Sequence, residues 1–315
     1  MLRLSSDIRI GQYQFSAVVG AEVESSWDMF TDVCRITIPR KINWQGKPIA
    51  VGESALLRRG DTVSVALGYD DNNTEVFQGY LHEIEAGIPT TIHCQDEMWN
   101  LKQQVVTESW ESVSLDTLLS SILPSSVPYQ ALGVSLGPFR ITNATVVQVL
   151  DELKKEYFLK SWFRNGTLYV GFAYVPALQN EYVIRFNRNV VANSLEYRRA
   201  EDIRIRLKMI SVQPDNSRIE YEAGDTGGEL RTMYYYDKTL SDLKALADSE
   251  IERLRYDGYK GDMTIFGQPT FRHGDVVDLR DETYPERDGR YLIKKVTYIY
   301  GVDGFRQKLE LDSKI

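Results

Sequence analysis

"RRGDTVSVALGYDD", Arg58–Asp71, has a near-copy far downstream in "RHGDVVDLRDET", Arg272–Thr283. Gly60-Asp61 aligns with Gly274-Asp275, Val63 with Val277, and Val65 or Leu67 with Leu279. Further on, Tyr80-Leu81 aligns with Tyr291-Leu292 and Asp96 with Asp312, while Asp32 in "TDVCRIT" aligns with Asp202 in "EDIRIRL". An echo of this extent marks a duplicated structural unit. Arg59-Gly60-Asp61 has the form of an adhesion signal, but the second copy carries His273 before its Gly-Asp. What persists is a glycine, for a permissive backbone, and an aspartate, for an Asx-type hydrogen bond that opens a strand. The candidate site residues are therefore structural: Gly60, Asp61, Gly79, Gly274 and Asp275 are expected to set the turns of two barrels.

Around the first copy, residues 1–96 read as short strands. "YQFSAVV", "DVCRITIPR", "DTVSVALGY", "EVFQGYLHEIEA" and "PTTIHCQD" alternate with period two and are rich in β-branched and aromatic residues. Residues 97–181 change texture to an α+β middle domain. Ser114 caps a helix carrying Leu115, Leu118, Leu119 and Ile122, and Pro124 ends it. Thr142 or Asn143 caps a second helix with Val146, Val149, Leu150, Leu153 and Tyr157 on one stripe. Asn165-Gly166, between aromatic-rich strands, is a type I′ hairpin signal. Residues 182–222 and 262–315 return to strands and form the second barrel. Residues 223–261 interrupt it with a helical insertion, marked by Leu240, Leu243, Leu246, Ile251 and Leu254, that is expected to pack on the middle domain. The fold class is thus mainly β: two similar antiparallel β-barrels flanking an α+β domain.

The chain has 315 residues, long enough for more than one domain, with 43% apolar and 26% charged residues. A net charge of −8 without a dense basic stretch argues against gripping nucleic acid. Apolar runs are too short to span a bilayer, and "MLRLSSDIRI" begins like an amphipathic strand, so synthesis in a cytoplasm is expected. Cys34 and Cys94, without metal or redox spacing, read as buried reduced thiols. His82, His93 and His273 are too scattered for a metal motif, and no cofactor is expected. Three Asn-x-Thr triplets, at Asn72, Asn143 and Asn165, are accounted for by a loop, a cap and a hairpin rather than glycosylation.

Gly60-Asp61, Val63, Gly68-Tyr69, Phe77, Gly79 and Asp96 in the first barrel, with "VLDELKKEYFLKSWFRNGTLYVG" in the middle, resemble the baseplate hub family of contractile tails. That family includes the late control D protein of tailed phages and the N-terminal hub part of the valine-glycine repeat protein of type VI secretion. The resemblance implies a homotrimer whose two barrels per chain make a pseudo-sixfold ring, joining a hexameric tail tube to a trimeric spike. It implies the tube protein and the spike protein as partners, passage of DNA or an effector through the lumen without specific binding, no membrane partner, synthesis in a bacterial cytoplasm, and a place in a phage tail or contractile injection particle. The chain ends soon after the second barrel, so the spike and any cell-wall-degrading activity are expected on separate polypeptides.

Two other classes compete. A cell-wall hydrolase or other enzyme would need a catalytic constellation, for which the acid pairs Glu83 with Glu85 and Asp278 with Asp281 are the candidates. Neither has a nucleophile elbow, metal motif or phosphate loop beside it, so the chain is expected not to be an enzyme. A carbohydrate- or receptor-binding module would draw on the 19 tyrosines and 5 tryptophans, above all "MYYYDKT", Met233–Thr239. Tyrosine serves interfaces and internal packing equally well.

Overall fold

Alternating sequence produces strands that are apolar on one face, and here the order in which those strands meet occurs twice. In the first set, Leu4–Ile10, Thr62–Tyr69, Asn72–Glu85, Thr90–Gln95, Val33–Ile38 and Gly20–Ser26 lie side by side in that order. In the second, Glu181–Arg185, Val276–Arg280, Gly289–Gly301, Gly304–Lys314, Asp262–Phe266 and Val190–Asn193 follow the same order. The sets differ at one end: Leu4–Ile10 runs antiparallel to its neighbour, Glu181–Arg185 parallel. This computed structural model describes residues 3–315 except Ser16, Arg40, Gln45, Gly46 and 51–55; the tracts assigned to strands around Ser16 and Arg40 thus lie partly outside the described residues.

Gly20–Ser26 also pairs antiparallel with Gly289–Gly301, which fuses both sets into one 13-stranded sheet. This corrects the expectation of two closed barrels. Gly20–Ser26 has Val33–Ile38 on one edge and Gly289–Gly301 on the other, leaving no free edge to meet Leu4–Ile10. The bent sheet stays open and encloses a single apolar core, in which Ile8, Ile36, Leu67 and Ile92 of the first set meet Met263, Val277, Ile293 and Leu309 of the second. Such sharing removes apolar surface from water on both units at once.

The middle segment builds a second core from helices Leu115–Ile122 and Val146–Glu156, the ribbon Val105–Ser114 with Ser135–Thr145, and the hairpin Ser161–Arg164 with Thr167–Val170. Ser114 accepts a hydrogen bond from the Thr117 N–H and is the N-cap. The longer helix is capped by Thr145, not Thr142 or Asn143, because Gln148 three residues on completes a capping box with it. At Asn165 (φ 50°) and Gly166 (φ 75°) the backbone is left-handed twice in succession, the requirement of a type I′ turn.

Ile205–Val212, Arg218–Gly224 and Glu229–Tyr236 form a separate three-stranded sheet, so the strands between Asp202 and residue 222, expected in the second barrel, do not enter the second set. Helix Leu240–Leu254 lies on this sheet, with Leu243, Ala247 and Leu254 against Ile205, Leu207 and Met209, and not on the middle core. The small sheet instead touches that core, through Val212. Alternation identifies a strand without naming the edge it will meet, which is why these strands looked interchangeable with those of the second set. Among the described residues no helix is long and apolar enough to cross a membrane.

Gly79 sits in a strand where a Cβ would lie 2.1 Å from the Gln95 carbonyl oxygen, whereas a Cβ at Gly166 would meet nothing within 4 Å. Gly79→Ala should therefore destabilise the chain by roughly 2–4 kcal/mol, through strand displacement. Gly166→Ala should cost only about 1 kcal/mol, from its positive φ. Urea unfolding of the two variants checks this; equal losses would show that the close approach at Gly79 is not a constraint.

Candidate functional site: twin turns and a buried polar junction

The two Gly-Asp pairs make the same turn. Gly60 (φ 91°) donates to the Leu81 carbonyl at 2.8 Å, and Leu81 N–H returns to the Asp61 carbonyl at 2.8 Å. Gly274 (φ 86°) donates to the Ile293 carbonyl at 2.6 Å, and Ile293 N–H returns to Asp275 at 2.9 Å. Each aspartate closes the loop from its side chain, Asp61 accepting from the Arg58 N–H and Asp275 from the Arg272 N–H, both at 2.7 Å. The Asp61 carboxylate thus bonds within its own turn, which is what the structural reading of Arg59-Gly60-Asp61 requires.

These bonds also correct the alignment. Leu81 corresponds to Ile293, so Tyr80-Leu81 matches Leu292-Ile293, one residue beyond the alignment by letters. Leu81 faces Cys94 and Ile293 faces Leu311, each followed by a bulge, which sets Asp312 against Gln95 rather than Asp96. Asp202 lies in the turn Ala200–Asp202 ahead of the separate sheet and is no counterpart of Asp32. In a strand a slip of one residue exchanges faces, so matching identical letters misplaces every side chain.

Burial then separates the two turns chemically. Gly60 lies against the Trp99 ring, itself stacked on Tyr80 at 5.5 Å, while Asp61 stays partly exposed. Asp275 is fully buried and also accepts from the Asn180 N–H at 3.0 Å; burial pushes its carboxyl up.

The second turn is where three parts of the chain converge. From the middle hairpin, Trp162 stands edge-on to His273 with centroids 4.8 Å apart, and the Arg164 guanidinium donates to the His273 carbonyl oxygen. Arg272 donates to Asn165 Oδ1 at 2.9 Å and to the Glu75 carbonyl at 3.3 Å. From the first set, Asp96 accepts from the Asp32 N–H at 3.0 Å and the Met98 N–H at 3.0 Å, and Asp32 accepts from the Ser26 N–H at 3.3 Å. Between them lies a cavity of about 80 Å³, lined by Asp32, Asp96, Arg164, Arg272, His273 and Tyr298 among others. That is room for ordered water beside these polar groups.

Burial pushes the Asp32 carboxyl up to about 7, against the hydrogen bonds from Ser25 and Ser26 and the attraction of Arg164. Asp96 is raised well above the carboxylate range by burial and then by the Asp32 charge. His273 is held well below its ordinary value by burial and by Arg164 and Arg272, and its Nδ1 has no protein partner.

Of the five sequence-derived positions, Gly274 and Asp275 belong to this junction; Gly60 and Asp61 form the sister turn beside Trp99, and Gly79 lies in the strand opposite Val63. Arg164, Trp162 and the contact of Asp32 with Asp96 were not anticipated, and only the hairpin signal at Asn165-Gly166 pointed near them. The acid pairs do not act as pairs: Glu85 approaches His93 at 3.3 Å, Asp278 is bonded by Arg280 at 2.6 Å, and Asp281 caps the Thr283 and Tyr284 N–H groups. The tyrosine cluster is half-buried by internal packing, Met233 and Tyr235 toward the helix and Tyr236 toward the middle core. Cys34 and Cys94 are free buried thiols directly opposite each other on neighbouring strands. Among the described residues no group of three or more His, Cys, Asp or Glu side chains could hold a metal.

Known structures share this architecture. The chain is similar to the tail protein from Neisseria meningitidis MC58, at 16% identity and TM-score 0.66 over 99% of this chain and 97% of that one. It is similar to the 43 kDa tail protein of prophage MuSo2 from Shewanella oneidensis, at 15% identity and TM-score 0.62 over 98% of each. A third match is an E. coli type VI secretion component described as structurally similar to the T4 bacteriophage tail proteins gp27 and gp5, at 8% identity and TM-score 0.59 over 97% of this chain and 76% of that one. No protein-family model and no curated protein matches the sequence. At these identities the shared property is the fold: this mainly β chain has the fold of phage tail and type VI secretion proteins.

Because the folded pKa of Asp32 is raised, its neutral form is the one the fold favours. Its contribution to stability is present below about pH 4 and is lost as pH rises through about 7. Asp32→Asn, neutral throughout, should lose less melting temperature than the wild type between about pH 4 and pH 8. Thermal melts across that range check it; parallel curves for the two proteins would mean that Asp32 does not titrate there.

Proposed function

We propose that this chain is a structural, non-enzymatic hub of a phage tail or related contractile injection particle, in which three copies form a ring. The observation that carries this reading is the same six-strand order occurring twice in one chain, fused edge to edge. Three such chains present 3 × 2 = 6 related units, which suits a ring that meets a hexameric tube on one side and a trimeric spike on the other, and closed rotation limits open-ended growth. The partners on this reading are further copies of the chain, the tube protein and the spike protein. The chain works by geometry. A net charge of −8 per chain gives 3 × (−8) = −24 for the ring, which disfavours retention of DNA passing through it. Within the chain, 1–96 and 97–181 serve as first unit and middle domain, with the second unit drawn from the remainder. The rival binding-module reading is weakened because its tyrosine cluster is engaged in internal packing.

Light scattering of the purified chain should give three times 36.1 kDa, about 108 kDa. A stable monomer would overturn the ring. Gly274→Val places a β-branched residue at φ 86°, which should cost roughly 2–3 kcal/mol and reduce the trimer fraction. Full assembly of that variant would remove the second turn from the list of structural determinants.

A further inference from the structure

The seam between the two units aligns more than their cores. One row of the fused sheet runs Gly304, Gly301, Gly20, Thr37, Thr91, Glu85, each residue the register partner of the next or one step beyond a registered pair. Two hairpins turn back just past this row: Ala86–Pro89 of the first unit and Val302-Asp303 of the second. Their arms differ in length, yet the pairing of Gly20–Ser26 with Gly289–Gly301 brings both tips to one rim. At this rim Ile88 is 80% exposed, Val302 95% and Val19 46%.

The opposite ends of these strands are occupied. There Lys160 of the middle domain pairs with Asp28 at 2.7 Å, and Trp27 donates to Tyr174 at 2.9 Å. The middle domain thus covers one end of the seam strands and leaves the aliphatic tips on the other. Behind the rim Arg35 pairs with Glu22 at 2.6 Å and Glu85 approaches His93 at 3.3 Å, while Asp303 stands exposed beside Val302 in its tip.

We infer that this rim is the face that docks a ring of identical tube subunits, with Ile88 and Val302 as two knobs entering apolar sockets on that ring. The inference rests on the hub reading and adds which surface meets the tube. Four strand spacings separate the knobs, roughly 19 Å, which sets the spacing of the sockets. Three aliphatic side chains offer far less than the ~800 Å² per partner of a stable binary interface. The contact therefore holds only when several rims engage one multivalent partner, which selects a ring of repeated subunits over a single small protein.

The test measures binding of the full-length chain, as its purified oligomer, to assembled rings of the particle's own tube protein. Ile88→Asp and Val302→Asp should each weaken binding at least about tenfold and the double variant should abolish it. Oligomer mass and unfolding midpoint should stay at wild-type values, and Leu230→Asp, at another exposed apolar position, should bind normally. Moderate salt should leave wild-type binding unchanged. Wild-type binding retained by the double variant overturns the rim assignment while leaving the hub reading intact. A trimeric wild type that ignores the tube rings overturns both, and a double variant that falls apart into monomers shows the rim to be a contact between copies of this chain instead.

Discussion

The backbone ladder between Gly20–Ser26 and Gly289–Gly301 is the interaction on which the rest of the structure depends. It joins segments from opposite ends of the chain, as the ion pair of Lys295 with Glu24 across it shows. Without it each unit would present a free strand edge, with unpaired N–H and C=O groups available to any passing strand. With it, the edge that could have closed the first unit is occupied, the sheet remains open, and the two units share a core. The relative placement of the units is then fixed by hydrogen-bond register rather than by a flexible linker.

Around this seam the same turn is put to two uses. Both Gly-Asp pairs satisfy the same backbone groups, and both need a glycine at positive φ. The first remains a surface feature resting on Trp99. The second is buried beneath the middle hairpin, and burial changes its chemistry: Asp275 is raised and His273 is kept neutral. Charged groups taken out of water are tolerated only with compensation. Here Arg164 meets a backbone carbonyl and shares a cavity with the Asp32 and Asp96 carboxyls, both of which burial raises. A polar junction of this kind ties the middle domain to both units at once and specifies how they meet.

The small sheet with its helix is a third packing unit. Its central strand, Ile205–Val212, sends Ile205, Leu207 and Met209 to the helix and Val212 to the middle core, so one strand links two cores. The tyrosines of Glu229–Tyr236 follow the same division, which accounts for an aromatic cluster that in isolation resembles a binding platform.

Features decided by residues a few positions apart could be read from the amino-acid order: the Ser114 cap, the Asn165-Gly166 turn, the buried helix stripes and the two Gly-Asp turns. Even there, choosing among neighbours failed where a second residue arbitrates, as Gln148 does in selecting Thr145. The duplication was legible, but its register was not, because identical letters at Asp96 and Asp312 outweighed a bulge that only strand pairing reveals. Tertiary structure alone decided which edge each strand meets, that the barrels stay open, and that Arg164, Asp32, Asp96 and His273 gather around one cavity. The physical reason is that local conformation depends on backbone sterics and side chains within a turn or two, while edge pairing and burial depend on segments that meet only once the whole chain has folded.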